Sequence, residues 1–265
     1  MRILVTFAVE AEFAPWRKRH DFQSKEIRIS GFAKTIPAFH TGVSGVSVDV
    51  LLTGIGWNGK SHTLSAKALQ EMMLNDPKVC ISTGLAGGLA RNLSIGDVVA
   101  AGEIASRQGG NLLFCDPMLV AGALKCGAKM GKKLITENHV IGKASAKLLL
   151  ANFGDFVDME SYHILSRVAG KGIPAIAVRA ISDVAREDLP VDFNKVVSRE
   201  GRIKATALAN EILRRPRQIP ALIKFGQNSR RAALQLADFL DQFIPFLAVH
   251  GVDANHCSVK QVAAQ

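Results

Sequence analysis

The chain has little of what builds metal or disulfide sites. Its four cysteines, Cys80, Cys115, Cys126 and Cys257, lie far apart with no CxxC spacing. They read as free thiols of a reducing compartment rather than as a disulfide framework. The seven histidines are scattered, with no HxxxH pair, so no metal and no cofactor are expected. No stretch approaches the roughly 18 to 20 apolar residues that cross a bilayer. The first apolar run, residues 3–9, is interrupted by Thr6 and closed by Glu10, unlike a secretory signal. Internal repeats and low-complexity tracts are missing as well. What remains is the composition of an α/β protein with a substantial core: 265 residues, 48% apolar and 21% charged, in a cytoplasmic setting.

The net charge of +10 is unevenly placed. Between Arg199 and Arg231 nine Lys/Arg face only Glu200 and Glu211, a local balance of +7, leaving +3 for the rest. Such a segment suits nucleic acid, anionic lipid or an acidic partner, and equally a solvated surface. Phe225 is its only aromatic residue. That argues against stacking on single strands, and no nucleic-acid partner is expected.

Residues 3–7, 46–53, 79–83 and 173–181 read as buried strands, with shorter or weaker strands at 26–30, 35–40, 96–105 and 155–158. Helical spacing is read at 10–17, 61–73, 116–131, 145–151, 160–169, 203–215 and 220–243. Residues 84–88 read as a small-residue loop. The alternation predicts a single α/β domain over 1–215, with a central mixed, largely parallel sheet flanked by helices. A basic amphipathic helical extension over 216–249 and a loose tail over 250–265 follow. The apolar stripe of the extension is expected either to pack on the core or to rest on an anionic membrane.

The string GIGWNGKS at 54–61 satisfies both GxGxxG and GxxxxGK[ST]. A P-loop would need an Asp at the end of a neighbouring strand to hold Mg²⁺, and residues 79–83 supply none. A dinucleotide site would need an acidic residue about 20 positions on, at the end of the next strand. That neighbourhood offers only Glu71 and Asp76. A P-loop nucleotide-binding protein stays as the reading from another class. The loop itself still lets backbone approach a ligand.

Three carboxylates follow predicted strands: Glu12, Glu160 and Asp183. Parallel sheets bind ligands at the carboxyl ends of their strands, so all three are expected around one cleft. Each also fits an ordinary place for an acidic residue near a helix N-terminus.

The segments ILVTFAVEAEF (3–13), LLTGIGWNGK (51–60), STGLAGGLARNLSIGDVV (82–99), VDMES (157–161) and VRAISDVA (178–185) resemble the nucleosidase and nucleoside phosphorylase superfamily. The likeness is greatest to its methylthioadenosine/S-adenosylhomocysteine nucleosidase branch and covers about residues 1–195. It implies cleavage of the N-glycosidic bond of a purine nucleoside, adenine being the expected base. Asp183 would be the general acid at purine N7, oriented by Ser182. Glu160 would hold the ribose hydroxyls, with Met159 packed on the sugar, and Glu12 would activate water. Val9, Ile55, Gly56, Leu85, Ala86, Gly87, Val157 and Asp158 would complete the binding site. Related phosphorylases carry arginines at the positions of Glu12 and Ser82, so hydrolysis is favoured over attack by phosphate. The chain departs from the nucleosidases at Leu85, at Trp57 and in a short segment with Lys143 and Lys147. The stretch RRPRQIPALIK (214–224), with VDMES and Cys115-Asp116-Pro117, resembles a hopanoid-associated phosphorylase group, which is assigned the removal of adenine from adenosylhopane. The resemblance implies a purine-nucleoside substrate, phosphate as the alternative co-substrate, a homodimer or larger homo-oligomer, and a peripheral contact of 216–249 with the inner membrane.

Overall fold

The computed structural model describes residues 1–29, 35–57, 59–198, 204–214, 216–251 and 261–262. In chain order its first half holds β1 (Arg2–Phe7), α1 (Glu10–Arg17), β2 (Gln23–Arg28), β3 (Thr35–Val43), β4 (Val46–Leu52), α2 (Gly59–Met73), β5 (Val79–Gly88), β6 (Val98–Ser106), β7 (Leu112–Phe114), α3 (Pro117–Lys125) and β8 (Lys129–Thr136). The rest holds α4 (Ala144–Leu150), β9 (Phe156–Asp158), α5 (Ser161–Ala169), β10 (Ala175–Asp183), α6 (Phe193–Val196), α7 (Ala205–Arg214), α8 (Ile219–His250) and β11 (Gln261–Val262).

The strands form one mixed sheet in the order β11-β7-β6-β8-β9-β5-β1-β4-β3-β2, and β10 pairs with β5 and β6. Parallel pairing runs through the centre, β4 to β1 to β5 to β10. Antiparallel hairpin partners close the side at β4, β3 and β2. The central strands are apolar on both faces because helices cover both; β10 is buried from Ala175 through Ser182. Because these four strands run the same way, residues 8–12, 53–56, 84–87 and 182–183 emerge at one edge of the sheet. That shared edge places the site.

β7 and α6 fall where no element is read from the sequence, and two further segments differ from the sequence pattern. The helix read over 116–131 stops at Lys125, and Lys129–Thr136 is a strand paired with β6 and β9. Gly127 at φ +92° turns the chain between them, a conformation that ends helices at little cost for glycine. The loop read over 84–88 instead continues β5, because β10 and β9 pair with it as far as Gly87 and Gly88. The ends of the strand at 26–30 and of the helix at 203–215 lie outside the described residues, as does most of the tail at 250–265. Gln261 and Val262 pair with β7.

The C-terminal helix α8 has two halves. From Ala232 to Leu247 most of its apolar residues are buried against the sheet and α1, Leu234 being exposed. Asp241 ties the two helices, accepting from Trp16 Nε1 at 2.8 Å and Arg19 at 2.7 Å, with His20 Nε2 also at 2.7 Å. The other half exposes Ile219 and Ile223. The expectation that no segment is long and apolar enough to cross a bilayer needs correcting. By length and composition alone, residues 216–250 are, although half of their most apolar window is buried inside the protein.

Candidate active site

Where the parallel strands end, a cavity of 580 Å³ opens. Glu12, Glu160 and Asp183 all line it, together with Val9, Ile55, Leu85, Ala86, Gly87, Val157, Asp158, Met159 and Ser182. Of the residues expected at the site, Gly56 alone is missing from the lining; its N–H instead donates to Glu160 Oε1 at 2.7 Å.

Glu12 enters from the first turn of α1. Its Oε2 accepts from the Ala8 and Val9 N–H groups at 3.0 and 3.3 Å, and its Oε1 accepts from the Leu85 N–H at 3.1 Å. Leu85 thus contributes through its backbone, which no side chain in its place would change. The carboxylate lies flat on β5: a Cβ at Gly84, where φ is +142°, would stand 2.9 Å from Glu12 Oε2. Burial pushes the Glu12 carboxyl above its ordinary range, against the opposing pull of the Leu85 N–H, the Arg179 charge and the Val9 and Ala8 N–H groups.

Glu160 follows β9 and is buried. Burial first, and the neighbouring Asp158 charge second, push its carboxyl up to about 8, against Arg179 and the Gly56 N–H. The contact with Gly56 also bears on the glycine loop. Gly54 and Gly56 take φ of +82° and +69°, so the backbone amide is presented inward, and it is spent on a protein carboxylate. A P-loop would leave that amide for phosphate. Trp57 turns away from the cavity, stacks on His163 at 6.0 Å and carries Arg167 on its other contact at 4.8 Å.

Asp183 ends β10. Ser182 Oγ donates to its Oδ2 at 2.9 Å. Its Oδ1 accepts from Lys147 Nζ. Lys147 comes from α4 and is fully buried. Asp183 thus meets a buried cation as well as the Ser182 hydroxyl expected beside it.

Behind Asp158 lies a network that the sequence did not reveal. Arg179 Nη2 reaches Asp158 Oδ2 at 2.7 Å, Ser161 Oγ at 2.8 Å and Ser82 Oγ at 3.1 Å. Thr136 Oγ1 donates to Asp158 Oδ1 at 2.7 Å. The lone charge in the apolar run of β10 was the one available signal: a buried Arg calls for a carboxylate.

Apolar side chains line much of the rest of the cavity. Val140, Ile141, Leu189, Phe193, Val197 and Phe225 line it, with His139, Ser229 and Arg230 among them. The arrangement is a cavity lined by carboxylates together with aliphatic and aromatic side chains. Chemically it can hold a polyhydroxylated ring, supply an acid and a base, and take up an apolar appendage.

Residues 2–214 match the model of the Phosphorylase superfamily. The 5′-methylthioadenosine/S-adenosylhomocysteine nucleosidase of Shewanella pealeana is 26% identical over 231 residues, 77% of this chain and 96% of that protein. The Shewanella halifaxensis protein of the same name is 28% identical over 181 residues, 59% of this chain and 78% of that one. Among solved structures, a futalosine hydrolase mutant of Helicobacter pylori superposes with a TM-score of 0.68 at 17% identity, covering 92% of this chain and 98% of that one. The Neisseria meningitidis 5′-methylthioadenosine/S-adenosylhomocysteine nucleosidase in complex with methylthio-immucillin-A gives 0.67 at 19% identity, covering 92% and 98%. At these identities the solved structures speak for the fold.

Proposed function

Since this chain belongs to the Phosphorylase superfamily, we propose that it hydrolyses the N-glycosidic bond of a purine nucleoside carrying an apolar 5′ substituent. The observation that carries this reading is the meeting of Glu12, Glu160 and Asp183 on one cavity. Asp183 acts as general acid at the purine ring nitrogen, because the departing purine anion is a poor leaving group until protonated. Such help is commonly worth about 10² to 10⁴ in rate. Glu160 holds the ribose hydroxyls. The sugar becomes oxocarbenium-like as the bond stretches, and an ionised Glu12 near it favours that charge. Glu12, fixed by three backbone N–H groups, takes a proton from the attacking water.

Water is favoured over phosphate on electrostatic grounds. Among the described residues lining the cavity, Arg230 is the one arginine or lysine, and the cations on Asp158 and Asp183, Arg179 and Lys147, are already spent on those carboxylates. A phosphate nucleophile needs fixed cations at its point of attack. The names of the relatives, nucleosidases and a hydrolase, lean the same way.

The apolar wall supports a bulky 5′ group. Methylthio is the small end of that class, and a lipid-linked nucleoside such as adenosylhopane the large end. The test is a chromatographic screen of 5′-substituted adenosines with and without phosphate. Free adenine with free sugar, independent of phosphate, is the expected result. Accumulation of a ribose 1-phosphate would make the chain a phosphorylase, and ATP binding without base release would return the glycine loop to a nucleotide site.

A further inference from the structure

Lys147 is a lysine with none of its surface exposed. An ammonium in such a place must spend all three donors, and it does. Nζ donates to Asp183 Oδ1, to the Val184 carbonyl at 3.2 Å and to the Glu187 carbonyl at 3.1 Å. Neighbouring charges are committed elsewhere: Lys143 to Asp188 at 2.7 Å, Lys224 to the Glu187 carboxylate at 3.1 Å, and Arg179 to Asp158 at 2.7 Å. The other ionisable side chains on the cavity, Glu12, Asp158, Glu160, His139 and Arg230, sit among its lining. Lys147 is therefore the cation that Asp183 meets. Its position on α4 also orders the chain after β10, since two of its three bonds go to the backbone there.

We propose that Lys147 is the positioning residue of Asp183, fixing its carboxyl plane and stabilising the carboxylate left when the proton has gone to the purine. Oδ1 is held by Lys147 and Oδ2 by Ser182, so the group cannot turn about its last bond without breaking one contact. Each oxygen keeps a further lone-pair direction for the base. In the step, the Asp183 proton moves to the purine ring nitrogen and the C1′–N electron pair stays with the purine. Glu12 takes the proton released by water, and its return to Asp183 through solvent resets the pair. Charge appears on Asp183 as the bond breaks. A cation already oriented there lowers that barrier without reorganising.

This inference rests on the assignment of Asp183 as the acid, and the test separates the two. The probes are 5′-methylthioadenosine and its N7-methylated cation, whose purine leaves without needing a proton. Lys147→Met, which keeps the volume and removes the charge, is expected to lower kcat on the first by about 10- to 100-fold, with KM within about 3-fold. On the cation kcat should stay within about 3-fold of wild type. Lys147→Arg should recover part of the loss. Asp183→Asn should show the same contrast more deeply. Equal losses on both probes, or wild-type kcat on 5′-methylthioadenosine in Lys147→Met, would overturn the role of Lys147 alone. Full activity in Asp183→Asn, or no free purine base from either probe with the folded wild type, would overturn the acid assignment and this role together. Where Lys147→Met does not fold, Lys147→Arg carries the same comparison: an uneven loss on the two probes supports the role, and an even one removes it.

Discussion

Arg179 and Asp158 form a buried ion pair at 2.7 Å, made by the strand that ends in Asp183 and the strand that precedes Glu160. The pair links the two sides of the cavity through side chains with almost no exposure. Asp158 also accepts from Thr136 and from the Ser161 N–H at 3.0 Å, so β8, α5 and β10 all bear on it. Removing one partner leaves the other charge buried and alone. Arg179→Met should therefore cost about 3 to 5 kcal/mol of stability, and adding Asp158→Asn to it should return part of that loss. Urea unfolding of the two variants checks this; a loss below about 1 kcal/mol for the single change would mean that water reaches the site.

Glu160 should make stability depend on pH in an unusual direction. Its carboxyl holds a proton up to about 8 in the folded chain, against 4.5 ordinarily. Between those values folding takes up a proton that the unfolded chain has released. Stability contributed by this group is thus complete below about 4.5, falls as pH rises towards about 8, and is level above. The slope for one such site is about 1.4 kcal/mol per pH unit. Glu160→Gln should flatten it and raise the melting temperature at pH 8, while abolishing nucleoside turnover. Thermal melts of wild type and variant from pH 5 to 9 are the measurement, and parallel curves would remove the assignment.

Much of this was legible beforehand, for a physical reason. Strands such as β1 and β10 are buried on both faces, so their apolar runs stand out in any reading. Carboxylates at the strand ends were legible because a parallel sheet brings those ends together wherever the loops lead. β8 was not legible. Lys129, Met130 and Lys132 are all exposed, so its first half does not alternate between apolar and polar, and it follows directly on an alanine- and leucine-rich helix. Nor were the partners of the carboxylates. Lys147 meets Asp183 from 36 positions away, and Gly56 meets Glu160 from 104. Such pairs are properties of the folded sheet, and local spacing carries no trace of them.

Glu12 acts as a base only when ionised, and burial holds its carboxyl above the ordinary 4.5. The acid limb of kcat/KM should therefore lie above that value, with activity lost as pH falls through it. Glu12→Gln should lose about 10² to 10⁴ in kcat. Gly84→Ala offers a subtler check. Its methyl would press on Glu12 Oε2 from 2.9 Å, in a backbone conformation at φ +142° that suits glycine. The carboxylate must shift, so kcat should fall while KM for the nucleoside changes little. An acid limb at or below 4.5, or a Gly84→Ala protein with the wild-type rate, would show that some other group activates the water.

The apolar wall sets the last expectation. Phe225 comes from the half of α8 that does not enter the core, and it packs on Phe193 at 5.2 Å between centroids. Both residues line the cavity that holds the carboxylates. A substituent on the 5′ carbon that reaches this wall transfers methylene groups from water to hydrocarbon. Each buried CH₂ is worth about 0.8 kcal/mol, close to a fourfold change in kcat/KM. A series of 5′-alkylthioadenosines should thus climb about fourfold per methylene until the cavity is filled. Because the chain touches no reacting atom, the rise should appear in KM before kcat. Phe225→Ala should lower the climb, and Phe225→Asp should reverse it by placing a charge on the path. A flat series in the wild type would mean that the 5′ group leaves the cavity by another route and that the wall serves only to close the fold around the sugar.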